Sequence, residues 1–122
     1  MADVRQAGPI VEATAGEALG GHRAVAIVGN AAYHADKNTA AHRGLVRGIT
    51  TGAAASTDTA RIQVYGPMAE PSFAFTPGQP IFVGTDGHLT QTAPTSGWLQ
   101  QVAVAETETR IFIDLQPIIA LD

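Results

Sequence analysis

The stretch Phe75-Thr-Pro-Gly-Gln-Pro-Ile-Phe-Val-Gly-Thr-Asp-Gly-His-Leu89 leaves a chain few folding options. Thr76-Pro77-Gly78 is a turn: proline presets φ at one central position and glycine supplies a positive φ at another. Ile81-Phe82-Val83 is β-prone. Gly84-Thr-Asp-Gly87 carries the Asp-Gly chemistry of hairpin loops, and His88-Leu89-Thr90 starts the return strand. A weaker form of the same sentence runs from Val25 to His34. These spacings predict strands and hairpins, not helices.

The rest of the composition agrees. With 13 Gly and 7 Pro in 122 residues, apolar runs are repeatedly cut to strand length. Hydrophobic residues at 45% can fill a core without staples, whereas charged residues at 15% leave a largely neutral polar surface, one suited to partial cover by other subunits. The formal net charge is −4, Lys37 is the sole lysine and the arginines are scattered, which argues against direct nucleic-acid binding through phosphates. Cysteine is absent, so thiol nucleophiles, disulfides and thiolate metal sites are excluded. No apolar run reaches the ~18 residues of a membrane span. Met1-Ala-Asp-Val-Arg-Gln6 lacks the build of a secretion signal, so the expectation is a soluble protein made in the cytoplasm, without membrane contact.

Residues 1–12, with Gly8-Pro9, read as an extended N-terminal arm, and residues 13–122 as a single β domain. Ala13–Leu19 has the composition of a helical turn, stopped by Gly20-Gly21. Strands are expected over Arg23–Val28, Ala31–Ala35, Gly44–Thr51 (with Gly48 marking a bulge), Thr59–Gly66, Trp98–Ala105 and Thr109–Leu115. Ile62 and Val64 alternate against Arg61 and Gln63, and Ile111 and Ile113 against Arg110, Phe112 and Asp114, which is the pattern of half-buried strands. Pro67 and Pro71 confine any strand between them to an edge. The apolar tail Pro117–Leu121 needs cover, from this chain or a neighbour.

The two hairpins belong to longer pseudo-repeats, about 24–64 and 79–113. Val28-Gly29 falls on Val83-Gly84, Tyr33 on Leu89, Gly44-Leu45-Val46 on Gly97-Trp98-Leu99, and Ile49 on Val102. Arg61-Ile62-Gln63-Val64 then falls on Arg110-Ile111-Phe112-Ile113. The fold class that follows is all-β: a small β-sandwich or barrel built from two similar hairpin-containing halves.

Catalytic chemistry finds little support. His34-x-Asp36 with His42 is the nearest approach to a metal-ligand group, but these residues fall at a strand end and in a polar loop. His22 and His88 are isolated. Asp86 is ordinary turn chemistry, and Glu106 and Glu108 read as a solvated tip. Ser56, Ser72 and Ser96 stand in no nucleophile-elbow motif. Gly20-Gly21 precedes a strand and so forms no phosphate cradle. Phe73, Phe75, Phe82, Phe112 and Trp98 at strand spacing suit a core or subunit contact better than a stacking platform. No catalytic, cofactor or metal residue is assigned, and a non-enzymatic protein is expected. A small hydrolase or lyase would require His34, Asp36 and His42 to converge.

Glu70-Pro-Ser-Phe-Ala-Phe-Thr-Pro-Gly-Gln-Pro-Ile-Phe-Val-Gly84, followed by Gly87-His-Leu-Thr-Gln91 and Pro94-Thr-Ser-Gly-Trp-Leu-Gln-Gln-Val102, resembles a module of tailed-bacteriophage virion proteins and head- or tail-fibre chains. Gly16-Glu-Ala-Leu-Gly-Gly-His-Arg-Ala-Val25 and Leu45-Val-Arg-Gly-Ile49 resemble small capsid cement, or decoration, proteins; the resemblance spans roughly residues 13–117. His22-Arg23 depart from the usual pattern, which has a more consistent glycine before the hairpin strand. The resemblance implies a structural virion protein on the capsid surface. It would form a homo-oligomer (dimer or trimer) and bridge copies of the major capsid protein to stabilise the shell. The alternative it allows is a fibre module binding a host-surface glycan or protein through Thr51–Thr59 and Gln91–Gly97.

Overall fold

The computed structural model describes residues 8–121. The fold is nearly all-β, with twelve strands among the described residues: β1 (Ile10–Ala15), β2 (Ala24–Val28), β3 (Ala31–His34), β4 (Val46–Thr50), β5 (Thr59–Gln63), β6 (Gly66–Ala69), β7 (Pro80–Val83), β8 (Leu89–Thr90), β9 (Trp98–Leu99), β10 (Gln101–Ala105), β11 (Arg110–Ile113) and β12 (Ile119–Ala120). One short 3-10 turn, Ala40–His42, interrupts them. No helix among the described residues is long and apolar enough to cross a membrane.

The first five strands close into a barrel in the order β1-β3-β2-β4-β5. β1 shuts it, running antiparallel to β5 from Ile10↔Gln63 to Thr14↔Thr59 and parallel to β3 at Thr14↔Ala31 and Ala15↔Ala32. A barrel of so few strands has a narrow interior, and alanine suits it. Ala15, Val25, Ala32, Ala60 and Ile62 are buried together, and Leu19 caps them through a two-way backbone bridge to Ala54.

β6 to β11, apart from β9, form an open sheet in the order β6-β11-β10-β7-β8. This repeats the barrel's antiparallel ladder: β3-β2-β4-β5-β1 matches β8-β7-β10-β11-β6, pair by pair. Both copies carry an irregularity at the same junction, with Arg47 as the extra residue between β2 and β4 and Val102 between β7 and β10. The expected bulge beside Gly48 is therefore present, and a Cβ on Gly48 would run into the Gln63 carbonyl. The parallel pairing that closes the barrel has no counterpart between β6 and β8. The segment after β6 takes that place. The Gln91 side chain bonds both backbone groups of Thr76, at 2.8 and 2.9 Å, while Phe73 and Phe75 pack on the core below.

Several expectations are corrected. Ile10–Glu12, read as part of an arm, belong to the strand that closes the barrel; residues 1–7 of that arm lie outside the described residues. Ala13–Ala15 continue that strand instead of starting a helical turn, because their backbone groups complete the ladders to β3 and β5. Trp98–Ala105 breaks at Gln100, so that β9 pairs with β12 and β10 joins the open sheet. In the repeat, Arg61 does correspond to Arg110 when the ladders are aligned on the bulge, but Arg47, not Ile49, corresponds to Val102, and Val46 falls on Gln101, not Leu99. The hairpins match one residue away from the expected register, with Ile27, not Val28, on Val83 and Ala32, not Tyr33, on Leu89.

The two halves share a core. β2 is covered on both faces: Val25 points into the barrel, while Ala24 and Ala26 meet Ile81, Val83, Ile111 and Ile113 of the open sheet. The backbone continues across the join, with Ala24 N–H donating to the Gly87 carbonyl, Gly87 N–H to Ala35, and Lys37 N–H to Gly84. Gln63, expected on a solvated face, is buried. Its Nε2 donates to the carbonyls of Tyr65 (3.0 Å) and Pro67 (2.8 Å), pinning the crossing from one half to the other.

Candidate functional site

The densest polar cluster lies where the tip of the β7–β8 hairpin meets the barrel. Asp86 and Gly87 occupy the left-handed region there, at φ 52° and 76°. This tight tip presents Asp86 to the end of β3. His34 Nδ1 is 3.0 Å from Asp86 Oδ1 and 3.7 Å from Glu17 Oε2. The Gly20 N–H donates to His34 Nε2 at 3.0 Å, so the ring proton sits on Nδ1 and points at the carboxylates. Arg23 Nη1 is 3.5 Å from Asp86 Oδ2 and donates to the Asp86 carbonyl at 3.3 Å. Glu17 accepts from the His34 N–H at 2.9 Å, and Asp36 Oδ2 accepts from the Asp86 N–H at 3.2 Å.

This arrangement binds the two halves. Both ring nitrogens of His34 are engaged, one of them by backbone, so the imidazole has no free lone pair for a metal or a substrate proton. The His34, Asp36 and His42 set does not converge: His34 faces Asp86, whereas His42 Nδ1 accepts from the Asp36 N–H at 3.2 Å. No group of three or more His, Asp or Glu side chains among the described residues could hold a metal ion. Asp86 thus does more than turn chemistry; the signal that could have found it is the Arg23/His34 pair flanking the first hairpin, which needs a carboxylate partner.

The other candidates are dispersed. His22 stacks edge-on against Phe73 at 5.7 Å, a second tie between the halves. His88 is exposed. The Ser72 hydroxyl donates to Glu70 at 2.7 Å, and Glu106 accepts from Arg110 Nε at 3.0 Å. Trp98 is buried, and its indole N–H donates to the Thr39 carbonyl at 3.0 Å. Beside it, Lys37, Asn38, Ala40, Arg43 and Gly97 complete a shallow cleft of about 110 Å³, and Lys37 Nζ there bonds Asn38 Oδ1 and Ser96 Oγ.

Exposed apolar side chains tell a different story. Phe82 and Trp98 are core, and Phe73 and Phe75 line it, but Phe112 lies on the outer face of the open sheet with Tyr65 edge-on to it at 5.2 Å. Val104 (36% exposed) stands opposite Phe112 on the next strand. At other edges of the molecule Leu45 and Ile119 are exposed, at 43% and 53%. Comparisons with protein-family models, curated proteins and solved structures find no match for the chain.

Proposed function

We propose that this chain is a structural virion protein: a capsid cement or decoration protein that binds the outer capsid surface as a homo-oligomer and stabilises the shell by bridging major capsid proteins. The observation that carries the reading is the placement of the outward-facing apolar side chains, Tyr65 and Val104 exposed and Phe112 half-buried between them. Tyr65, Phe112 and Val104 stand on or beside the strands of a cross-braced β scaffold, not in a cleft. Aromatic groups on a rigid, weakly charged surface are the anchors of protein–protein contacts. The titratable cluster of Glu17, Arg23, His34 and Asp86 supports a non-enzymatic role, since its hydrogen bonds join the halves. The resemblance of residues 13–117 to cement proteins supplies the capsid as partner, and many copies on one shell make weak single contacts durable.

Co-sedimentation of the purified protein with capsids lacking it tests this, the expected result being saturable binding and shells more resistant to heat. A protein that leaves such capsids untouched overturns the reading. A fibre module is the second reading, favoured by the exposed loop at residues 55–58; labelling at a tail tip in virions would select it.

A further inference from the structure

We propose that the outer face of the open sheet is where two copies of this chain pair, about a two-fold axis lying along the row Pro67–Phe112–Val104–Pro80. These four residues are direct neighbours across β6, β11, β10 and β7, so their side chains share one face. Their chain neighbours Met68, Ile111, Ile113, Ala103, Ala105 and Ile81 are buried on the other face. An antiparallel sheet with one wet face carries polar residues outward. Here the central row is apolar across four strands, and Tyr65 adds a second aromatic ring beside it.

Charge selects the occupant and the orientation. β11 presents Arg110 and Phe112 on this face, and the exposed Asp114 follows directly after its last residue, so opposite charges stand on either side of the row. Arg110 uses Nε for Glu106, which leaves its terminal nitrogens free for a further carboxylate. Two copies stacked face to face can be related by an axis along the strands or across them. An axis along the strands sets Arg110 over Arg110 and Asp114 over Asp114, which repels. An axis across them, through Phe112, sets Arg110 of each copy over Asp114 of the other, on both sides of an apolar centre. The face is thus complementary to itself, as a closed dimer contact must be. Row residues on the axis meet their own counterparts.

This inference deepens the homo-oligomeric reading above but is tested without capsids. In a chain with no cysteine, Val104→Cys should become a disulfide-linked dimer on mild oxidation with oxidised glutathione, because Val104 faces its own copy. Arg110→Cys should not, since it lies off the axis. In sedimentation equilibrium, Arg110→Asp should weaken the dimer about tenfold or more, and adding Asp114→Arg should restore it. Both positions lie on the outer face, and a folded Val104→Cys protein carries the test if a charge variant fails to fold. A wild-type monomer, or a dimer that Val104→Cys does not link, overturns the inference. So does a monomer whose capsid binding is lost on Val104→Asp, since the face would then dock shell protein. A dimer cross-linked at Val104 that ignores capsids leaves this inference standing and removes the virion reading.

Discussion

His34 Nδ1 stands 3.0 Å from Asp86 Oδ1, and this one contact ties the last residue of a barrel strand to the hairpin tip of the other half. The ring is 8% exposed, while the carboxylate is 65% exposed. Removing the ring leaves the Gly20 N–H without its acceptor and opens a cavity. His34→Ala should therefore lower unfolding stability by about 2–4 kcal/mol. Asp86→Asn keeps an acceptor oxygen in a screened position and should cost about 1 kcal/mol or less. Urea midpoints at unchanged slope measure both. Equal losses would show that the contact's strength lies in the charge of Asp86, not in the buried ring.

Gly78 and Gly87 both adopt positive φ, at 84° and 76°, but their surroundings differ. A Cβ at Gly78 meets nothing within 4 Å, whereas one at Gly87 would sit 2.8 Å from the Ala24 carbonyl oxygen and 3.0 Å from His34 Cδ2. Gly78→Ala should cost only the left-handed strain, about 1–2 kcal/mol. Gly87→Val should push the hairpin off the barrel and abolish soluble expression. A stable Gly87→Val protein would falsify the interlock.

Trp98, the only tryptophan, reports on the join, because it lies in the shared core and bonds Thr39 of the other half. Its emission should be blue-shifted in the native state. Fluorescence and far-ultraviolet circular dichroism should unfold in one coincident transition, since neither half has an independent core boundary at β2. Two separated transitions would show that the barrel and the open sheet melt as separate units.

β1 supplies two ladders to the barrel. A chain beginning at Thr14 should lose the closed barrel and expose Val25 and Ile62, giving an aggregating product. A dispensable arm would leave the denaturation midpoint unchanged, and comparing midpoints of the two chains decides between these outcomes.

Much of the fold was legible in residue order. Ile111 and Ile113 alternate as expected and are buried, and Pro67 lies on an edge strand. Of the repeat, the match of Arg61-Ile62-Gln63-Val64 to Arg110-Ile111-Phe112-Ile113 keeps its register, whereas the hairpin match is off by one residue. The counterpart of Val102 was misplaced by two residues because side-chain chemistry matches Val102 to apolar Ile49, whereas its counterpart at the bulge is the exposed Arg47. Gln63 was assigned to solvent because alternation reports the chemistry of a face, not what the rest of the chain lays over it. The Glu17, Arg23, His34 and Asp86 cluster was missed for a related reason: its members are distant in sequence, and each has an ordinary local role.

Local chemistry alone determined that this chain makes short strands with tight, glycine-dependent turns, and that one ladder is written twice. The tertiary structure decided that one copy closes and the other stays open. The reason is that β1 carries free backbone groups that can pair on both sides, with β3 and β5, whereas β6 begins Gly66-Pro67 and pairs only with β11. Proline has no N–H to offer a second neighbour, so the gap falls to the Gln91 side chain and two phenylalanines. It also decided that Asp86, a turn residue by local rules, holds the two copies together, because only the folded chain brings it to His34.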